Sequence, residues 1–389
     1  MKERIESLTN DIKNELEELS LYIYNNPELG YDEYKSSKAH VELLRKHRFE
    51  VEEGYLGMDT AFKAVYKGQK TGPTVGYLAE YDALPGIGHG CGHNILGAVS
   101  TGAGIVLSKL VDEIGGNIVV FGTPAEETSG AKVRMTDMGA FDKLDVAMSA
   151  HPDSDFSKSG SSLALEAIQF TFRGKTAHAA AAPEKGINAL DACLATFHSI
   201  NALRQHTLPE ARIHGIIRAG GEAANIVPEL AIAEFYVRTT NKHYLIELSE
   251  KVKNCARAGA LAAGAQLEIT NYEESFDNLV TNKTLQDTFV KNLGSFGITN
   301  VKPAEDMMGS TDVGNVSQVC PTIHPKFGIC EEGIVIPVHT REFAEATLTE
   351  TAKTNVSKTV MGLAMTAVDI IVDGELLEQI KKEFKEARK

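Results

Sequence analysis

Between Thr74 and Ala150 the chain alternates strand-like and helical runs, and this alternation limits the folds open to it. Thr74–Ala79 and Asn117–Gly122 are short runs rich in Val, Ile, Tyr and Phe, and Asp145–Ala150 reads as a third strand. The small, apolar segment Asn94–Leu110 lies between the first two and reads as a buried helix; a second helix is expected near Gly130–Met138. Strands separated by helices pack as an α/β sheet with parallel parts, and the reactive groups of such sheets gather at the carboxyl ends of the strands.

The flanking sequence fits the same layer plan. Glu3–Tyr24 carries Ile5, Leu8, Ile12, Leu16, Leu19 and Ile23 at helical spacing. Asn26-Pro27-Glu28-Leu29-Gly30 breaks it, and a second helix is expected at about Tyr34–Lys46. Strands are expected at Phe49–Glu52 and Ala61–Tyr66. From Leu163 the rhythm changes: strand Leu163–Arg173, helix Ile187–Arg204, strands His214–Ala219 and Ala231–Thr239, helix His243–Ala263 and strand Gln266–Tyr272. That order, βαββαβ, is the ferredoxin-like pattern. Residues 163–275 are therefore expected to form an inserted domain, with 1–162 and 276–389 forming one domain around it. In the returning part, a helix Leu285–Phe296, a loop rich in Gly, Ser and Asp, and a long final helix near Ala346–Ile370 are expected.

Composition narrows the function classes. The 389 residues suggest roughly two or three domains of about 150 each. A net charge of −14 opposes nucleic-acid binding, which needs clustered positive charge. The longest apolar stretch, around Val360–Val372, contains Asp369 and is shorter than a membrane span of about 20 residues. Five cysteines without CxxC spacing, and an amphipathic rather than signal-like N-terminus, place the expectation in the reducing cytoplasm with free thiols.

Three chemistry-bearing segments each follow an expected strand: Gly88-His89-Gly90-Cys91-Gly92-His93-Asn94, Thr123-Pro124-Ala125-Glu126-Glu127 and His151-Pro152. Each alone has an ordinary reading, as a tight turn, a solvated helix start or a strand cap. Together, on neighbouring strands, they would bring a thiolate, imidazoles and carboxylates to one sheet edge, which are zinc-ligand types. The glycines do not have GxGxxG spacing, no GxxxxGK[ST] loop occurs, and no CxxC pair completes a deaminase signature.

These segments resemble the two-zinc metallopeptidase family of aminoacylases and glutamate carboxypeptidases, in its amidohydrolase branch. The resemblance runs from Asn26-Pro27-Glu28-Leu29-Gly30 to His339. It is most specific at Cys91-Gly92-His93, Pro124-Ala125-Glu126-Glu127, Gly174-Lys175-Thr176-Ala177-His178 and Asn225-Ile226-Val227-Pro228. Gly309–Ser317 resembles the p-aminobenzoyl-glutamate hydrolase and β-alanyl-lysine dipeptidase sub-branch. The resemblance implies a metal-dependent hydrolase that cuts the amide bond of N-acyl-amino acids, dipeptides or p-aminobenzoyl-glutamate-like substrates. It implies two divalent ions, zinc first and manganese or cobalt next. Cys91 would bridge them, Glu127 and His339 would complete one site, and His93 and His151 the other. Glu126 would be the general base, Asp82 would orient an imidazole, and His178 would stabilise the oxyanion of a neighbouring subunit. Asn225 and Arg238 would hold the substrate. The inserted domain would be a lid and dimerisation domain, giving a homodimer or a higher homo-oligomer, with no nucleic-acid or membrane partner. The chain departs from the branch at Asn94 and at Glu80-Tyr81-Asp82, where Asp is common at 94 and Asp-Met-Asp at 80–82. The alternatives are a peptidase of longer peptides and a non-catalytic binding subunit of the same fold. His89 is expected near the cluster and His324 near the pocket, while His40, His47, His198, His206, His214 and His243 read as structural or exposed.

Overall fold

The computed structural model describes residues 1–304 and 309–388. Part of the expected Gly/Ser/Asp loop, at 305–308, lies outside the described residues. The chain begins with helix α1 (Lys2–Asn25), whose Ile5, Ile12, Leu16, Leu19 and Ile23 are buried at helical spacing. Helix α2 (Tyr34–Lys46) follows, then strands β1 (Glu50–Glu53), β2 (Phe62–Lys67) and β3 (Thr74–Ala79). Helix α3 (His93–Ser108) is buried at every position, so its apolar residues show no amphipathic stripe. After α4 (Val111–Ile114) come β4 (Asn117–Gly122), α5 (Ala131–Asp137), β5 (Val146–Met148) and β6 (His151–Asp153). The inserted segment comprises β7 (Ala164–Arg173), α6 (Ala189–Leu203), β8 (Arg212–Ala219), β9 (Leu230–Thr239), α7 (Lys242–Ala263) and β10 (Gln266–Asn271). Helices α8 (Lys283–Ser295) and α9 (Val313–Ser317), strands β11 (Thr322–Ile323) and β12 (Lys326–Gly328), and helices α10 (Arg341–Ala346), α11 (Glu350–Val372) and α12 (Gly374–Ala387) complete the chain.

The described residues fall into two units. The first contains residues 1–161, 279–304 and 311–388. Its sheet has the order β1-β2-β4-β3-β5-β11. β1, β2 and β4 pair antiparallel, whereas β4, β3, β5 and β11 run parallel, so the sheet is mixed. The expected α/β class with helices flanking a mixed sheet is what the chain adopts. Apolar residues of α1, α3, α8 and α11 form one core with the sheet. Helix α11 is long and apolar enough to cross a membrane by length and composition, and it is mostly buried against α1, α3 and α8.

The second unit contains residues 162–278 and 309–310. Its four strands pair antiparallel in the order β10-β7-β9-β8. β9 alternates between buried and partly buried residues, the period-2 pattern of a strand with one covered face. Phe170, Phe172, Phe235, Leu248 and Val252 belong to its core, and α6 packs on α7. β8 is an edge strand with Ile216 and Ile217 exposed.

The C-terminal end differs from the sequence expectation. The long helix expected near Ala346–Ile370 is α11, Glu350–Val372, but it is not the last: the short α10 precedes it and α12 follows it. Thr349 caps the start of α11 by accepting the Ala352 N–H with its side chain. Asp373 then accepts the Glu375 and Leu376 N–H groups and starts α12. Short strands β6, β11 and β12 also escaped periodicity, because two or three residues carry no readable period.

Candidate metal centre

β3, β4 and β5 are neighbours in the sheet and run parallel. Their carboxyl ends therefore deliver Glu80–Asp82, Thr123–Glu127 and His151 to one edge. Thr123 N–H and its hydroxyl both bond Ala79 O, at 2.8 and 3.1 Å, which keeps the first two segments side by side. The glycine-rich loop then turns into α3. Gly92 has φ +80°, and a Cβ there would lie 2.5 Å from Pro152 Cγ. Only glycine lets this loop press against the residue that follows His151. Cys91 and His93 flank that contact.

Cys91 Sγ lies 3.3 Å from His151 Nε2 and 3.5 Å from His339 Nε2. Glu127 Oε1 lies 3.7 Å from His339 Nε2 and 3.9 Å from His93 Nε2. Three overlapping donor groups result: Cys91, His93 and His151; Cys91, Glu127 and His339; and His93, Glu126 and Glu127. Within each group the donor atoms are within 4.8 Å of one another. His339 comes from far along the chain. It has φ +65°, and its N–H is fixed on Gly90 O at 2.7 Å. A non-glycine residue in the left-handed region is held there by its surroundings, and such residues cluster at functional sites.

The polar bonding of these side chains fits a cation. His93 Nδ1 is 2.8 Å from Asp82 Oδ1, which turns Nε2 toward the cluster. His151 Nδ1 is likewise committed, to Pro152 O at 2.7 Å. His93 Nε2 and Glu127 Oε1 are buried without a hydrogen-bond partner. Buried polar atoms are normally paired, so two that face one another across 3.9 Å call for a shared partner. Burial pushes the Cys91 thiol well above its ordinary range. A thiolate at this position therefore needs a positive charge beside it. Sulfur, imidazole and carboxylate together make a divalent-metal site.

Glu126 adjoins this cluster. Burial, and then the charges of Glu80, Glu127 and Asp312, push its carboxyl well above the usual range. A carboxyl placed beside these donor groups can exchange protons with a group bound there. Its backbone is set by the preceding residue, Ala125, which has φ +61°. Ala125 N–H donates to Glu33 Oε1 at 2.8 Å, and Glu127 N–H donates to Asp82 Oδ2 at 2.9 Å.

The sequence reading missed a buried charge network beside the cluster. Lys132, on α5, is wholly buried, with its Nζ 2.7 Å from Asp312 Oδ1 and 2.9 Å from Glu80 Oε1. Glu80 Oε2 in turn lies 3.4 Å from His93 Nε2. Burial opposes ionisation of Glu80, but Lys132 and the nearby histidines outweigh it and bring the carboxyl down to about 2. Two signals were present in the sequence: Glu80 as a departure from the branch, and Asp312 inside the Gly309–Ser317 segment. Lys132 carried none, since a lysine near the start of a helix reads as solvated. Among the other histidines, His324 is buried with its ring 5.6 Å from that of His151. His89 is buried, with Nε2 3.1 Å from Ile23 O.

The remaining expected site residues belong to the second unit. His178 is exposed, and its Nδ1 accepts the Ala180 and Ala181 N–H groups at 3.2 and 3.1 Å. That bonding puts the ring proton on Nε2. Asn225 is nearby, its carbonyl accepting the Ala179 N–H at 3.0 Å. Arg238 stacks 5.2 Å from the Tyr236 ring centroid and reaches Ser310 Oγ at 3.4 Å, with its Nε buried and unbonded.

Residues 74–357 match the model of peptidase family M20/M25/M40. The Xaa-Arg dipeptidase of Mus musculus is 36% identical over 407 residues, covering 99% of this chain and 92% of that protein. One of the proteins of the p-aminobenzoyl-glutamate hydrolase from Escherichia coli is 29% identical, covering 71% of this chain and 61% of that protein. In fold, an aminobenzoyl-glutamate utilization protein from Klebsiella pneumoniae superposes with a TM-score of 0.76 at 17% identity, over 94% of this chain and 98% of that one. A dinuclear metal-binding peptidase from Bacillus subtilis superposes with a TM-score of 0.69 at 21% identity, over 94% and 99%. The chain therefore belongs to peptidase family M20/M25/M40 and is a metal-dependent hydrolase of peptide or amide bonds.

Proposed function

We propose that the Cys91 cluster binds two zinc ions and that the protein hydrolyses dipeptides or small acyl-amino acids. The observation that carries this reading is the convergence of Cys91, His93, Glu127, His151 and His339, with His93 Nε2 and Glu127 Oε1 buried and unbonded. In this reading Cys91, His93 and His151 would hold one ion, and Cys91, Glu127 and His339 would hold the other. Manganese or cobalt would suit the same donors. When bound, such ions polarise a carbonyl and bring the pKa of water down to about 7.

The chain's own side chains do the rest. Glu126 accepts the proton of the attacking water and passes it to the leaving nitrogen. Glu127 is committed as a ligand, so the adjacent pair divides two tasks that one carboxylate could not share. Asp82 keeps His93 in the tautomer that presents Nε2. His178 offers its Nε2–H to the oxyanion in the active site of a second copy, and Asn225 and Arg238 hold the substrate. The exposed edge strand β8, with Ile216 and Ile217, supports pairing of two copies through the second unit.

Dipeptides ending in a cationic residue head the substrate class. The 36% identity with an Xaa-Arg dipeptidase supports this, and a net charge of −14 favours approach of cationic substrates. The test is Glu126→Gln, assayed against arginine-terminated dipeptides, N-acetyl-amino acids and p-aminobenzoyl-glutamate. It should keep its ions and lose about 10²–10⁴-fold in kcat. Turnover near the native value would remove Glu126 from the mechanism.

A further inference from the structure

The catalytic turn contains an energetically costly residue. Ala125 is wholly buried and has φ +61°. L-residues other than Gly, Asn and Asp avoid this region because Cβ crowds the carbonyl oxygen. The strain sits one residue before Glu126, so its φ and ψ set the direction in which Glu126 leaves the backbone. A relaxed Ala125 would point the Glu126 carboxylate elsewhere.

Contacts on every side of Ala125 hold this conformation. Its N–H donates to Glu33 Oε1 at 2.8 Å. Its carbonyl accepts from Gly130 N–H at 2.7 Å and from Thr128 N–H at 3.3 Å. Its Cβ faces Gly30, where a side chain would begin 2.9 Å from that Cβ and 2.5 Å from Thr128 Oγ1. Glu33 is itself fixed, since Oε2 accepts the Thr60 hydroxyl at 2.9 Å and Thr60 O accepts the Tyr81 hydroxyl at 2.6 Å. The Asn26–Gly30 segment thereby acquires a purpose that the metal cluster did not explain. Glu28 accepts the Lys35 and Ser36 N–H groups at the start of α2. Gly30 and Glu33 both reach Ala125. Of these contacts only Glu33 brings a side chain to the Ala125 N–H, and it comes from 92 residues earlier in the chain.

We propose that Glu33 is a positioning residue for hydrolysis: its buried carboxylate locks Ala125 in the left-handed conformation that turns Glu126 into the Cys91 cluster. The inference rests on the reading of Glu126 as the proton acceptor. Glu33 touches neither substrate nor ion; it acts through the Ala125 peptide.

The experiment measures kcat, KM and ion content on the substrate of the above panel that the native enzyme turns over fastest. Glu33→Ala should lower kcat at least about tenfold and leave KM within about twofold, because only the aim of Glu126 changes. Its ion content should stay native. Glu33→Gln keeps an oxygen for the Ala125 N–H, while the Thr60 hydroxyl can turn to accept from the amide; it should return kcat to within about threefold of native. Ala125→Gly added to Glu33→Ala should raise kcat at least about fivefold over Glu33→Ala alone, since glycine adopts φ +61° without the Cβ penalty. A structural glutamate would show no such rescue. Should Glu33→Ala fail to fold, Glu33→Asp, one methylene short of the Ala125 N–H, carries the same comparison. Native kcat in Glu33→Ala, or no rescue by Ala125→Gly, overturns the inference. If Glu126→Gln is inactive in the same experiment, the reading of Glu126 survives that failure; if Glu126→Gln is active, the reading itself falls.

Discussion

Asp82 sets the ring of His93: Oδ1 is 2.8 Å from Nδ1, inside the core, with neither side chain exposed. The same carboxylate uses Oδ2 to hold the Glu127 N–H at 2.9 Å. One buried acid, in the loop after β3, thus orients donors that arrive on α3 and after β4.

Asp82→Ala should therefore weaken ion binding more than it weakens the fold. Loss of such a supporting carboxylate costs about 10–100-fold in metal affinity. Competition with a chromophoric chelator measures this directly. Unchanged affinity would mean that the His93 ring is fixed by packing alone.

Lys132 predicts a stability effect. Its ammonium is buried between Glu80 and Asp312, and removing one partner leaves uncompensated charge in the core. Lys132→Met should cost about 3–5 kcal/mol in urea unfolding. A loss below about 1 kcal/mol would show that water reaches the two carboxylates.

His40 predicts a pH effect on stability. Burial lowers its pKa to about 3, and the ring packs on Phe62 and Tyr81 with Nδ1 2.8 Å from Thr101 Oγ1. The folded value is depressed, so the unfolded chain binds the proton first as pH falls. The stability is complete above about 6.5 and drains away as pH drops toward 3. Between pH 7 and pH 5 this one site should cost about 2 kcal/mol, and His40→Leu should lack that component. Parallel slopes for native and variant in pH-dependent urea titrations would contradict the assignment.

Much of this was readable from sequence because the fold announces itself by period. Thr74–Ala79 and Asn117–Gly122 are strands with the bounds expected of them, since each is an apolar run closed by Gly, Pro or a charged residue. The long helix α11 was legible too, but α12 was not, because a single Asp373 cap ends one helix and starts the next. The sequence could name donors but not neighbours. Whether three loops meet depends on strand order, and β3 lies between β4 and β5 only once the sheet has formed. Glu33 and Lys132 stayed hidden for a related reason. Each is a charged residue in an ordinary helical setting, and its burial is decided by partners 92 and 180 positions away.

Ion stoichiometry is the most direct test of the central claim. Purified native protein, loaded with zinc and freed of excess, should carry two ions per chain by elemental analysis, as a shared-ligand pair requires. Cys91→Ala should hold fewer, and removal by a chelator should abolish hydrolysis until zinc, manganese or cobalt is restored. Native protein that hydrolyses dipeptides at full rate with well under one ion per chain would contradict the account.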